Sequence, residues 1–89
     1  MALFDLLGRR WTLRVLWELR EETLTFRELQ IRCEGMSSSV LNQRLRELRD
    51  AGVIEQRPGE GYGLTPEGQE LLLALSPLQA WASRWSERA

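Results

Sequence analysis

Ser39, Asn42, Gln43 and Arg46 follow one another at steps that bring them onto one face of a helix, at i, i+3, i+4 and i+7. Their side chains carry the groups that read base-pair edges. Asn and Gln can pair with an adenine edge and Arg with a guanine edge, each worth about 1–3 kcal/mol of discrimination when both bonds form. Ser38 precedes them, and hydroxyls at a helix start favour a phosphate. On the other side, Leu41, Leu45 and Leu48 form an apolar stripe. A solvated helix surface would show the same face, so the flanking elements must decide between the two readings. Arg44 lies beside the stripe and is expected to pair with Glu47 or Glu28.

Other chemistry finds little support. The chain has one cysteine and no histidine, which excludes the usual zinc and copper ligand sets and the His-assisted nucleophiles. No paired-carboxylate site, phosphate-cradling glycine loop or cofactor motif appears. We therefore expect no catalytic residue, no metal and no cofactor. Cys33 reads as a small residue near a helix end, with a redox role as the alternative.

The 89 residues fit one domain spanning 1–89. A domain this small buries only about 60% of its unfolded surface, so an oligomer would help it. The net charge of −1 argues against a strongly basic nucleic-acid binder. Residues 1–52 hold nine Arg and eight acids, whereas 53–89 hold three Arg and five acids. Every basic residue is Arg. That suits phosphate and guanine recognition, although codon bias would produce the same usage. No apolar run approaches the about 18 residues of a membrane span, and the N-terminus lacks the basic start of a secretory signal. The expected location is the cytoplasm, with no membrane partner.

The elements that would position the polar face can be read in order. Helices are expected at 2–7, 10–20, 26–33 and 38–51. In the second, Trp11, Val15 and Leu19 repeat every fourth residue, with Leu16 on the same face. Thr25 and Glu28 form a capping box for the third. Gly35 ends that helix, Ser37 to Ser39 offer caps for the fourth, and Gly52 closes it. Strands at 53–57 and 62–64 flank the turn Pro58 to Gly61. Thr65-Pro66 starts another helix. Pro77 should break or kink it, giving a bent pair at 66–75 and 77–87. The fold class is mainly α with a small β-hairpin: two short helices, a tight turn, a polar outer face and then a hairpin make a winged helix-turn-helix.

LLGRRWTLRVLWEL (6–19), TFREL (25–29), GMSSSVLNQRLRELRDAGVIEQR (35–57) and YGLTPEG (62–68), with Pro77 and Trp81, together resemble the HxlR-type winged-helix regulators, within the broader MarR-like group. The resemblance covers nearly the whole chain, and the ordered set is what makes it specific. It implies a sequence-specific regulator of transcription that binds double-stranded DNA as a homodimer, with the dimer built from the first and last helices. Leu3 and Phe4 would then join Leu78, Trp81 and Trp85 in the seam. Some relatives respond to small molecules, so an effector is a further expected partner. Arg9 and Arg10 replace the family's second Gly and its Lys, the N-terminal cysteine of redox-sensing members has no counterpart, and the wing is shorter.

Within that frame, helix 38–51 would enter the major groove through Ser38, Ser39, Asn42, Gln43 and Arg46. Thr25 and Arg27, at the start of the preceding helix, could meet the phosphate backbone; a purely capping role is the other reading of each, and the favoured one for Thr25. Arg57 is the wing's best DNA contact, whereas Glu60 at the tip would repel phosphate. Trp11 and Trp17 are expected in the core. Leu78, Trp81 and Trp85 share one face of the last segment; Trp81 and Trp85 could be core, but an apolar patch of that kind left open calls for a partner and favours the seam. The alternative function is a winged-helix module that docks another protein without strong DNA binding of its own.

Overall fold

Capping chemistry sets the register of the central helices. The structure, a computed structural model, describes residues 2–88. The Thr25 hydroxyl accepts from the Glu28 amide at 3.1 Å, and the Glu28 carboxylate accepts from the Thr25 amide at 2.9 Å. This reciprocal pair starts α3 (Phe26–Arg32). Ser37 starts α4 (Ser38–Asp50) by accepting from the Val40 amide at 3.2 Å. Gly35 and Gly52, with φ of 87° and 78°, turn the chain in the left-handed region where a side chain is costly.

Upstream lie α1 (Ala2–Leu7) and α2 (Thr12–Glu18). The second is shorter than the expected 10–20. Trp11 takes φ 79° just before it, which stops the helix from extending to Arg10. A bulky side chain in that region is a conformational outlier. After α4 come β1 (Ile54–Arg57) and β2 (Gly61–Leu64), paired antiparallel from Ile54↔Leu64 to Arg57↔Gly61. Leu24 adds a one-residue bridge to Tyr62, with hydrogen bonds of 2.9 and 2.7 Å. This ties the α2–α3 connection to the wing. Thr65 then accepts from the Gly68 amide and donates to the Gly52 carbonyl, fixing the start of the last helix beside the end of α4.

That last helix, α5 (Pro66–Arg88), is one continuous element and not the expected bent pair. Proline removes one backbone hydrogen bond and strains one turn. Strong helix formers on both sides, Glu70 to Leu75 and Leu78 to Ala82, carry the helix across it.

The core gathers Val15, Leu16 and Leu19 around α2 with Leu24, Leu29 and Cys33. Leu41, Leu45 and Leu48 of α4 meet them, and Ile54 and Leu64 close the hairpin side. The apolar stripe of α4 is therefore its inner face. Trp11 is half-buried against this core. Trp17 corrects the expectation of a core residue: it is 38% exposed. Its ring is covered from outside by the Arg20 guanidinium, 3.8 Å from the ring centre. Among the described residues no helix is long and apolar enough to cross a membrane.

The cap gives a first prediction. Thr25→Ala should cost about 1 kcal/mol of stability, read as a lower urea midpoint. The Glu28 carboxyl is held below its ordinary value, first by the Thr25 amide and then by the Thr25 hydroxyl. A carboxyl lowered in the folded state stabilises above its unfolded value, and that stability is lost as pH falls through the lowered one. Glu28→Gln should therefore flatten the acid side of the stability profile. An acid limb as steep as wild type would refute this.

Candidate nucleic-acid interface

With Leu41, Leu45 and Leu48 turned inward, α4 presents Ser38, Ser39, Asn42, Gln43 and Arg46 outward, all exposed. Ser39, Asn42 and Arg46 have no side-chain hydrogen bond or ion pair among the described residues. These groups are thus free to bind something else. Ser38 Oγ accepts from Gln30 Nε2 at 2.7 Å, which joins α3 to the first turn of α4. Gln43 Nε2 donates to Glu47 Oε2 at 3.1 Å. Arg27 is exposed and unpaired among the described residues. The Thr25 oxygen is already engaged in the cap, so the capping reading of that residue is met by geometry.

Two of the motif's four acids, Glu28 and Glu47, are committed elsewhere. Glu28 faces the Thr25 amide. Glu47 accepts from Arg44 Nη1 at 2.6 Å and pairs with Arg9 at 3.3 Å. Burial opposes its ionisation, yet the hydrogen bonds from Gln43 and Arg44 and the charges of Arg44 and Arg9 together hold it below its ordinary value. Glu47 thus cancels charge beside α4, while Arg27 and Arg46 remain uncompensated. These two guanidiniums are open on this face in a chain whose net charge is −1. Among the described residues, Glu34 in the turn, Asp50 at the end of α4 and Glu60 at the wing tip, with Asp5, Glu28, Glu67, Glu70 and Glu87 elsewhere, have no ion-pair partner.

Arg57 is held within the wing. Its Nε donates to Glu55 at 2.8 Å and its Nη2 to the Leu64 carbonyl at 2.9 Å. The guanidinium lies over Gly63, where a Cβ would come within 2.8 Å of its central carbon. It therefore braces the hairpin stem. Sequence reasoning missed Arg49, which follows Asn42 and Arg46 at i, i+4 and i+7 and so shares their side of the helix. It donates to Gln56 Oε1 at 3.0 Å and links α4 to β1. The same periodicity, carried one turn further, would have found it.

A helix-turn-helix with a free polar outer face and an attached hairpin invites comparison with known regulators. Residues 6–89 match the model of the HxlR-like helix-turn-helix family. The chain belongs to that family. This HxlR-like chain is 32% identical to an uncharacterized HTH-type transcriptional regulator of Methanocaldococcus jannaschii, over 98% of itself and 85% of the relative. It is 30% identical to the HTH-type transcriptional regulator YodB of Bacillus subtilis, over 94% and 80%. Among solved structures it is similar to quinone-bound YodB, with a TM-score of 0.86, 30% identity and coverage of 93% and 92%. A possible HxlR family transcriptional factor from Thermoplasma volcanium gives a TM-score of 0.85 at 27% identity, over 98% and 84%. The HxlR-like chain is accordingly a transcriptional regulator with a helix-turn-helix DNA-binding domain, not an enzyme.

The terminal helices carry the other group of expected residues. Leu3, Phe4, Leu78, Trp81 and Trp85 are all exposed, Phe4 at 67%. Trp81 and Trp85 stack on each other, 6.0 Å between centres and 8° from parallel. From Ser76 to Arg88 every residue but the half-buried Ala82 is exposed. Cys33, by contrast, is fully buried. Burial pushes its thiol up, with Arg14 working against this and Glu18 adding to it. A buried thiol held protonated is a poor nucleophile.

Proposed function

We propose that this protein is a homodimeric, sequence-specific regulator in which α4 of each protomer enters the major groove of double-stranded DNA. The observation that carries the reading is the free Ser39, Asn42 and Arg46 face on a helix whose other side is fully core. Gln43 and Ser38 extend that face, and Arg27 and Thr25 start the helix expected to cross the phosphate backbone. Arg57 enters the reading as the brace of the wing, which brings the hairpin to the DNA without itself being free.

The whole of 1–89 acts as one domain, with α1 and α5 as the dimer seam. Support comes from the uncovered Leu3 and Phe4 on α1 and Leu78, Trp81 and Trp85 on α5, large apolar side chains that the protomer leaves in water. Two recognition helices would then read half-sites about 34–36 Å apart. A small-molecule effector belongs to the same reading. A groove of about 910 Å³ runs between α2 and α5, lined by Leu13, Trp17, Leu72, Leu73 and Leu78 among others. The similarity to YodB, solved with a quinone, supports such a ligand. A cytoplasmic location follows from action on chromosomal promoters.

The test is anisotropy of labelled random duplex DNA across a salt series. Binding should weaken with a log–log slope of about 0.9 per phosphate contact. No binding at low salt would refute the reading and favour a protein-docking role for the same face. On a selected operator, Arg46→Ala should lose about 1–3 kcal/mol of affinity and relax one base position. Unchanged affinity would remove Arg46 from the reading set.

A further inference from the structure

Glu47 lies outside the free polar face, yet it is bonded to one member of it. Its carboxylate, only 18% exposed, is fixed from two directions. Arg44 of the same helix donates to Oε1 at 2.6 Å, and Arg9 from the α1–α2 connection sits 3.3 Å from Oε2. Arg44 is itself anchored, since its Nε donates to the Arg10 carbonyl at 2.9 Å. Oε2 also receives Gln43 Nε2 at 3.1 Å.

A carboxylate can only accept. Gln43 must therefore turn its NH2 toward Glu47 and its carbonyl oxygen away, toward the exposed side of α4. One N–H is spent on Glu47 and the other is left. An outward oxygen beside one remaining N–H is the pattern that pairs with adenine, whose N6 donates and whose N7 accepts. Guanine offers two acceptors, O6 and N7, and meets the outward oxygen with repulsion. A free glutamine could flip its amide and satisfy either.

We propose that Glu47 is a positioning residue for DNA reading, holding the Gln43 amide in the orientation that selects adenine over guanine. The proposal rests on the major-groove reading given above. It also gives the Arg9–Glu47–Arg44 cluster a use beyond fold stability, because the cluster keeps the carboxylate in place while DNA approaches.

The experiment uses the full chain and a duplex selected from a random pool by the wild-type protein. Gln43→Ala first locates the base pair whose preference disappears. Wild type should prefer adenine there. Glu47→Gln, which can offer Gln43 either a donor or an acceptor, should reduce the adenine-over-guanine ratio about fivefold or more. The salt slope, which reports phosphate contacts, should stay the same. In the Gln43→Ala background, Glu47→Gln should change base preference no further. Glu47→Asp is a second variant, in which the carboxylate keeps its charge but is drawn back by one methylene from Gln43; it should relax the preference in the same way. A wild-type preference retained in Glu47→Gln or Glu47→Asp would overturn the proposal. So would an effect of Glu47→Gln that persists without Gln43. If wild type selects no duplex at all, the DNA reading itself fails, and that failure is visible before any variant is made.

Discussion

Replacing Trp81 and Trp85 together by aspartate should convert the protein to a monomer. Its affinity for a two-half-site operator should fall by about 10²–10⁴-fold, the range that linking two binding units contributes. The two rings stack on one face of α5 and are 52% and 58% exposed. Neither belongs to the protomer's own core, so the substitutions leave that core intact. Two carboxylates at those positions would have to be desolvated in any seam built on this face, at a cost that Arg84 and Arg88 one turn along would offset only in part. Light scattering reads the mass directly. Binding to a single half-site should be unchanged, which separates loss of the dimer from loss of the reading face. A dimeric mass in the double variant would remove α5 from the interface.

The second large effect is on stability, and its sign runs against helix propensity. Gly68→Ala should destabilise the fold by about 3 kcal/mol, the upper part of what overpacking typically costs. In an exposed helix the same change would stabilise by about 1 kcal/mol. Gly68, however, sits in the first turn of α5, the only buried residue of that helix. A methyl there would run into the Val53 carbonyl oxygen and come within 3.2 Å of Leu64 Cδ2. A carbonyl in the backbone cannot swing aside as a flexible side chain would. For a domain of this size the melting temperature should drop by roughly 12–24 °C. A thermal scan by circular dichroism would decide it, and an unchanged or higher melting point would refute the tight crossing.

What could be read from the sequence was what depends on near neighbours. The Thr25–Glu28 box needs residues three apart, and it formed as expected. The α4 stripe needs only helical periodicity, and Leu41, Leu45 and Leu48 are indeed core. The hairpin followed from glycines around a turn. Its first strand begins one residue later than expected, at Ile54, and its second one residue earlier, at Gly61, which pairs with Arg57.

What escaped depends on distant partners. The Arg44 side chain bonds the carbonyl of Arg10, thirty-four positions away, and no local pattern announces such a contact. Arg57 looked free in a polar stretch, but the hairpin folds Glu55 and the Leu64 carbonyl onto it. Trp17 looked apolar enough for the core, but Arg20 offered its ring a cationic cover at the surface. Pro77 was weighed as a breaker, whereas the helical preference of both flanks outweighed one lost bond.

The long last helix carries one more consequence. Its outer portion, from Ser76 onward, has no buried residue in its own protomer. Helices of about 12–15 residues or fewer are marginal alone in water. In the homodimer proposed above, a second copy supplies the missing cover, so the folding of this segment obeys mass action. Dilution would fray it, and the frayed end would offer Leu78, Trp81 and Trp85 to proteases. Scarcity would then shorten the regulator's lifetime, and abundance would lengthen it.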